Sequence, residues 1–220
     1  MPMVYYHVWD NYPAPVYNKS WYESNDLIVS ISKVTRDIVS EVSDKVKNIY
    51  LPHAVDSQYF KALPKEDVDK IKKQQNLEGK FVFFWNNRNA RRKMSGSLIY
   101  WFKQFCDKIG HDKATLIMHT DPQDPYGQDL DHIINHLGVN SGQILLSREK
   151  VGPDHLSMMY NIADCTINIS DAEGFGLATL ESLYCGTPII VTMTGGLQEQ
   201  VTDGKEWFGI GLEPSSKALI

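Results

Sequence analysis

The sequence predicts an α/β fold in which helices cover sheets of parallel strands. Short apolar runs alternate along the chain with longer amphipathic stretches. The strongest runs, D-L-I-V-S-I at 26–31 and K-F-V-F-F-W at 80–85, are apolar almost throughout. Such runs are typical of strands buried on both faces, as in parallel sheets with helices on each side.

Each predicted element depends on a local pattern. Strands are predicted where β-branched, aromatic or aliphatic residues run together. They cover 3–8, 26–31, 47–51, 80–85, 115–118, 143–146, 165–169 and 188–191. Helices are predicted where apolar residues recur at helical spacing. They cover 17–24, 33–42, 65–75, a segment that Ser95 caps and that runs to Ile109, 130–137, 155–162 and 177–184.

The stretch 51–63 contains turn residues and separates two arrays of alternating strands and helices. We therefore predict that residues 1–50 are the remnant of an N-terminal Rossmann-like domain and that 51–220 form a Rossmann-like C-terminal domain. The first array is too short for a complete doubly wound domain, and no closing helix follows residue 213. We expect a chain that is truncated at both ends.

The composition excludes several classes of function. The net charge of −5 at pH 7 provides no overall basic field for nucleic acid. Three scattered cysteines form no metal or disulfide pattern, which favours a reducing compartment. No apolar run approaches the roughly 18 residues of a transmembrane helix, and the N-terminus lacks the features of a signal peptide. We expect a cytoplasmic protein, or one that is peripheral at a membrane surface.

The stretch S-D-A-E-G-F-G-L-A-T-L-E-S at 170–182 carries the clearest chemical signal. It follows a predicted strand and leads into a predicted helix, which is where open α/β sheets bind ligands. Gly174 and Gly176 allow the backbone to approach a bound group, and the helix N-terminus favours phosphate. Glu181 can accept hydrogen bonds from two ribose hydroxyls, and Glu173 lies beside the turn. The alternative is an ordinary turn with one surface glutamate.

A basic segment, W-N-N-R-N-A-R-R-K-M-S-G at 85–96, follows the strongest strand. Its cationic side chains can neutralise a diphosphate. A basic solvent-exposed loop and a local nucleic-acid patch are the alternatives, and the acidic net charge disfavours the second.

These segments resemble motifs of the retaining GT-B glycosyltransferases, most closely the family 4 type. The E-G-F-G-L-x-x-x-E motif of that family matches 173–181, and its arginine and lysine, five positions apart, match Arg88 and Lys93. Asn87 stands where the family has a glycine before the arginine. P-H-A-V-D at 52–56, T-G-G-L-Q-E at 194–199 and M-Y-N-I-A-D at 159–164 resemble further motifs. The resemblance covers most of the chain, from about residue 3 to 213.

The resemblance implies a role for each matching residue. Glu173 and His7 are expected in the catalytic site near the transferred sugar, and Glu181 is expected to bind the ribose. The residues expected to bind the donor diphosphate are Arg88, Lys93, Gly174, Phe175, Gly176 and Leu177. The resemblance implies no cofactor and no metal ion, and the donor substrate it implies is a UDP- or GDP-linked sugar.

The resemblance therefore implies a hexosyltransferase that moves a sugar from a nucleotide-diphosphate sugar to an acceptor hydroxyl, with retention and without metal. The acceptor is an unidentified glycan, lipid or protein, and nucleic acid is not an expected partner. A partner chain or an oligomer is expected to complete the N-terminal domain. Two alternatives stay open: a non-catalytic fragment or subunit that binds nucleotide sugar, and another GT-B enzyme such as a sugar-nucleotide epimerase.

Overall fold

A computed structural model describes residues 1–214. The strands are β1 (Val4–His7), β2 (Leu27–Ser30), β3 (Asn48–Tyr50), β4 (Phe81–Asn86), β5 (Ala114–His119), β6 (Ile144–Ser147), β7 (Cys165–Asn168), β8 (Ile189–Thr192) and β9 (Gly209–Leu212). The helices are α1 (Lys19–Glu23), α2 (Lys33–Val42), α3 (Lys65–Gln74), α4 (Ser95–Ile109), α5 (Leu130–His136), α6 (Pro153–Ile162), α7 (Leu177–Tyr184) and α8 (Gln198–Val201). Short 3-10 helices precede α1, α4 and α8.

The strands form two sheets. One has the order β1-β2-β3, and both of its pairings are parallel. The other has the order β6-β5-β4-β7-β8-β9. Its β6-β5, β5-β4 and β4-β7 pairings are parallel. The predicted α/β fold with parallel sheets is therefore confirmed.

The described chain divides into two compact units. Unit 1 contains Met1–Ala54, Ser170–Leu177 and the described residues from Val191 onward, and unit 2 contains Val55–Ile169 and Ala178–Ile190. The predicted domain boundary at residue 51 stays a prediction.

Unit 2 is built on two apolar clusters that use alternate residues of β4 and β5. Trp85 and Leu116 belong to a cluster with residues of α4 and α5, whereas Phe84 and Ile117 belong to a cluster with residues of α6. Successive side chains of a strand point to opposite faces, so both faces of this part of the sheet are covered. This explains why the run 80–85 is apolar almost throughout.

Unit 1 has a smaller core. Ile28 of β2 packs with Ile38 and Val39 of α2 and with the fully buried Tyr22. Helix α2 begins after Ser32, whose side chain accepts a hydrogen bond from the backbone N–H of Thr35. This N-cap and the apolar stripe of the helix account for bounds that agree with the predicted 33–42.

Two expectations about local structure were incomplete or wrong. Ser95 is the first residue of α4 and does not cap it; the N-cap position is taken by Met94, which has a left-handed φ of 55°. The Ser95 hydroxyl instead donates to Asn89 Oδ1 at 2.7 Å. Strand β9, with the sequence G-I-G-L, was missed. Within residues 1–214, no helix is long and apolar enough to cross a bilayer.

Candidate functional site

The turn that carries Glu173 lies in unit 1 and is held by a glycine pair. The backbone N–H of Gly196 donates to the Glu173 carbonyl at 2.9 Å. A Cβ added at Gly196 would lie 2.6 Å from Phe175 Cα, and one added at Gly195 would overlap the Glu173 carbonyl oxygen. The side chain of Gln200 also donates to the Phe175 carbonyl at 2.6 Å. The G-G-L-Q-E segment therefore fixes the backbone beside Glu173.

The two glycines of the turn serve different purposes. Gly176 has a φ of 94°, a conformation that favours glycine, and it directs the chain into α7 at Leu177. Gly174 has no left-handed φ, but a Cβ there would overlap Val8 Cγ2. The space at Gly174 is therefore required by a neighbouring side chain of the same unit.

Phe175, between the two glycines, is buried. Its ring makes an edge contact with His53 at 4.9 Å between centroids. His53 Nδ1 in turn lies 3.0 Å from the Tyr6 hydroxyl. The P-H-A-V-D segment thus contacts the same turn as the glycine pair does.

His7 ends β1 and is only 4% exposed. Its Nε2 lies 3.0 Å from the hydroxyl of Tyr22. Burial lowers the pKa of His7 from 6.5 to about 4, so the imidazole is neutral at physiological pH. A neutral ring can orient a ligand hydroxyl but adds no positive charge. Its contact with a donor sugar stays a prediction.

Unit 2 contains a cleft of about 380 Å³ at the carboxyl ends of β4, β5 and β6. It is lined by Asn86, Asn87, Arg88, His119, Thr120, Asp121, Arg148, Glu149 and Lys150. Two buried polar atoms of this lining, Asn87 Nδ2 and Thr120 Oγ1, have no hydrogen-bond partner in the described part of the chain. Buried polar groups are nearly always paired, so this wall is suited to a polar ligand.

Arg88 lies at the rim of this cleft with a side chain that is 61% exposed. Its Nε donates to Asp124 Oδ2 at 2.6 Å and its Nη2 to Asp124 Oδ1 at 3.2 Å. The guanidinium carbon also lies 4.8 Å from the centre of the Tyr126 ring. The hydrogen bond from Arg88 lowers the pKa of Asp124. The arginine is therefore oriented by the loop that follows β5.

Lys93 differs from the other cations of its segment because it is only 5% exposed, whereas Arg91 and Arg92 are exposed. It ends the 3-10 helix before α4. Asn89, which is fully buried, connects this segment to the loop after β5 through its amide, which donates to the Gln128 carbonyl at 2.7 Å. The basic segment is therefore anchored in unit 2 by the buried Asn89 and Lys93, while its three arginines are exposed.

Glu181 lies on α7, in the part of that helix that belongs to unit 2. Its Oε2 accepts a hydrogen bond from the hydroxyl of Tyr160 at 2.7 Å. The same hydroxyl accepts a hydrogen bond from Asn86 Nδ2 at 2.8 Å. Burial raises the pKa of Glu181, and the hydrogen bond from Tyr160 opposes that rise. Because Asn86 lines the cleft, Glu181 is connected to the cleft wall through two hydrogen bonds.

The predicted site residues are thus divided between the two units. His7, Glu173, Gly174, Phe175, Gly176 and Leu177 lie in unit 1, whereas Arg88, Lys93 and Glu181 lie in unit 2. Within each unit, they lie at strand ends or at the turns that follow. Their contacts with a donor stay predictions.

Residues 67–219 match the family described as Glycosyl transferases group 1. The chain belongs to the group 1 glycosyltransferases. This agrees with the family that the Glu-x7-Glu, Arg-x4-Lys and G-G-L-Q-E motifs indicate.

Two curated relatives of this group 1 chain illustrate the range of similarity. D-inositol 3-phosphate glycosyltransferase of Paenarthrobacter aurescens is 34% identical over 77 residues, which are 35% of this chain and 18% of that protein. Alpha-monoglucosyldiacylglycerol synthase of Streptococcus pneumoniae is 24% identical over 181 residues, which are 81% of this chain and 40% of that protein. The chain therefore spans less than half the length of either relative.

Solved structures show the same fold. Anabaena Alr3699/HepE, in complex with UDP and glucose, matches with a TM-score of 0.76 and 19% identity, over 97% of this chain and 58% of that one. Sucrose-phosphate synthase from Thermosynechococcus elongatus matches with a TM-score of 0.75 and 22% identity, over 91% and 48%. At these identities the likeness concerns the fold, an α/β architecture of GT-B type.

Sequence reasoning missed two partners of the predicted site residues. Asp124, the partner of Arg88, lies in the segment D-P-Q-D-P-Y-G, whose residue types are those of an ordinary turn. Tyr160, the partner of Glu181, belongs to the M-Y-N-I-A-D motif, and its place in that motif was a signal that it has a specific contact. Neither pairing could be read from spacing.

Proposed function

We propose that this group 1 chain binds a nucleotide-diphosphate sugar and transfers the sugar to an acceptor hydroxyl. The observation that carries the proposal is the unit 2 cleft, whose wall presents the unpaired Asn87 Nδ2 and Thr120 Oγ1 beside Arg88. Open parallel sheets bind ligands at this end of their strands. Membership of the group 1 family supports the same reading.

The donor is proposed to be linked to UDP or GDP. Anabaena Alr3699/HepE has been solved with UDP-glucose, at 18% identity to this chain. That structure supports a nucleotide sugar as the class of ligand. We propose the same class for this chain, without proposing which sugar it carries. The acceptor is proposed to be a hydroxyl of a glycan, lipid or protein.

Each site residue has a proposed role in transfer with retention. Arg88, Lys93 and the backbone N–H groups of Gly174–Leu177 stabilise the departing diphosphate. Glu181 accepts hydrogen bonds from the ribose. Glu173 and His7 orient hydroxyls of the transferred sugar.

In the proposed front-face reaction, the bond between C1 of the sugar and the diphosphate oxygen breaks. The acceptor oxygen forms a bond to the same face of C1, and its proton passes to the departing diphosphate. In this proposal Arg88, Lys93 and the backbone N–H groups of Gly174–Leu177 neutralise the negative charge of the departing diphosphate. We therefore propose no metal ion and no cofactor.

The test is calorimetric titration of the chain with UDP and with GDP, in the presence of EDTA. We expect one nucleotide to bind and expect Glu181→Ala and Arg88→Ala to weaken that binding at least tenfold, the equivalent of about 1.4 kcal/mol. Arg36→Ala is the matched control, because Arg36 is also an exposed arginine paired with an aspartate, Asp37. A folded parent chain that binds neither nucleotide would overturn the proposal.

Transfer itself is tested with sugar conjugates of the nucleotide that binds. Release of sugar or glycoside in the same anomeric configuration as the donor, observed by NMR, is the expected result. Inversion at C1, or a strict requirement for added metal, would contradict the proposed chemistry. Conversion of the donor into another nucleotide sugar without an acceptor would instead indicate an epimerase.

A further inference from the structure

The carboxylate of Glu181 is held by a second side chain whose own hydrogen bonds are complete. Asn86 Nδ2 can only donate, so the Tyr160 oxygen accepts that bond at 2.8 Å. The phenolic proton is then donated to Glu181 Oε2 at 2.7 Å. The direction of both hydrogen bonds is therefore fixed.

The ring of Tyr160 is buried and packed against two other aromatic rings. Tyr160 is fully buried, and Phe84 of β4 contacts it edge-on at 4.9 Å between centroids. Phe60 makes a similar contact at 6.2 Å. Side chains locked by packing position the groups to which they bond more accurately than flexible ones.

The hydrogen bond occupies only one oxygen of the Glu181 carboxylate. Within residues 1–214, Glu181 Oε1 has no hydrogen-bond partner, whereas Oε2 accepts the bond from Tyr160. A carboxylate oxygen with its lone pairs available can accept hydrogen bonds from ligand hydroxyls. The pairing therefore leaves one oxygen for a ligand.

We propose that Tyr160, supported by Asn86, is the positioning residue of Glu181: it fixes the carboxylate through Oε2 and leaves Oε1 to a ribose hydroxyl. This inference rests on the proposed function, in which Glu181 binds the ribose. Tyr160 acts only through Glu181 and does not touch the ligand itself.

The electrostatics of the pair agree with this role. Burial raises the pKa of Tyr160 well above 10.0, so the phenol remains a donor throughout the working range of pH. Burial raises the pKa of Glu181, and the bond from Tyr160 counteracts this rise. Cys185, four positions after Glu181, also interacts electrostatically with that carboxylate. Burial raises the pKa of that thiol as well, so Cys185 stays neutral.

The test is a double-mutant cycle on nucleotide binding with Tyr160→Phe and Glu181→Ala, since alanine leaves no acceptor for the Tyr160 hydroxyl. Tyr160→Phe keeps the buried ring and removes only the hydroxyl. Because the carboxylate loses the hydrogen bond that fixes it, we expect Tyr160→Phe to weaken binding about tenfold, the equivalent of about 1.4 kcal/mol. In the Glu181→Ala background the same substitution should change affinity less than twofold. Equal losses in both backgrounds would overturn the proposal, because they would indicate a general structural role.

Tyr100→Phe is the matched control, since Tyr100 is an exposed tyrosine of unit 2 whose hydroxyl accepts a bond from Gln104. It should leave affinity unchanged. A second readout does not require nucleotide: the pKa of the Glu181 carboxyl, followed by carbon NMR of labelled glutamate, should rise in Tyr160→Phe and not in Tyr100→Phe. An unchanged pKa would overturn the inference.

The pH dependence of binding separates the possible failures. If the ionised carboxylate binds the ribose, affinity should decline on acidification, and this decline should begin at higher pH in Tyr160→Phe. A parent chain that binds no nucleotide overturns the proposed function, while the carboxyl pKa still decides whether Tyr160 holds Glu181. A parent chain that binds nucleotide equally well without the hydroxyl overturns only the positioning role.

Discussion

Gly196→Ala should destabilise the turn that carries Glu173. A Cβ at this position would lie 2.6 Å from Phe175 Cα, 2.7 Å from the Phe175 carbonyl oxygen and 2.8 Å from the Gly174 carbonyl oxygen. All three atoms belong to the backbone, so no side chain can rotate away. Overpacking of a well-packed site costs about 1–3 kcal/mol, and we expect a loss near the middle of that range, about 2 kcal/mol.

The assay is urea-induced unfolding. With a slope of about 2–3 kcal/mol/M, a loss of about 2 kcal/mol lowers the midpoint by about 0.7–1 M. Gly152→Ala is the matched control, because Gly152 also has a negative φ, −72°, and a Cβ there would meet no atom within 4 Å. If both variants unfold within about 0.5 kcal/mol of each other, a range typical of harmless surface substitutions, the reasoning from backbone crowding is refuted.

Three further predictions concern single side chains. Because burial lowers the pKa of His7 from 6.5 to about 4, the unfolded chain takes up a proton that the folded chain does not, so stability should fall as pH drops from 6.5 towards 4. Urea midpoints across this range should show a shallower decline for His7→Gln, and an unchanged decline would contradict the assignment. Asp164 accepts from Lys72 Nζ and from the Val82 backbone N–H, each at 2.7 Å, so Asp164→Asn should cost about 1 kcal/mol. Asp112→Asn, which removes an exposed pair with Lys113, should be neutral in the same unfolding assay. Asp124→Asn should tighten UDP or GDP binding several-fold by calorimetry, because phosphate would no longer compete with a carboxylate for Arg88. The gain should vanish in an Arg88→Ala background, and a gain that persists there would show that Asp124 acts elsewhere.

Much of the fold could be predicted because its signals are local. The run 80–85 is apolar since β4 is covered on both faces, and α2 and α7 have the bounds that their apolar stripes and end residues indicate. Strand β9 could not be predicted, because G-I-G-L has two glycines and few residues that favour strands. The predicted cap of α4 was wrong because the Ser95 hydroxyl bonds to Asn89, six positions earlier, and Ser95 is itself the first helical residue.

The candidate site could be predicted less completely than the fold. The residue types of Glu173, Glu181, Arg88 and Lys93 could be recognised from motifs, but the groups that orient them are distant in sequence. Tyr160 precedes Glu181 by 21 positions and Asp124 follows Arg88 by 36. These distances have no period that a sequence pattern could reveal.

The two glutamates of the Glu-x7-Glu motif are held by contacts in different parts of the chain. The division between the units falls between Leu177 and Ala178, inside α7, so Glu173 and Glu181 belong to different compact units despite their closeness in sequence. The backbone of Glu173 is fixed by Gly196 in unit 1, whereas the carboxylate of Glu181 is fixed by Tyr160 in unit 2. One motif therefore depends on two independent sets of supporting contacts. G-G-L-Q-E contains Gly196, which bonds to the backbone of Glu173, and M-Y-N-I-A-D contains Tyr160, which bonds to the carboxylate of Glu181.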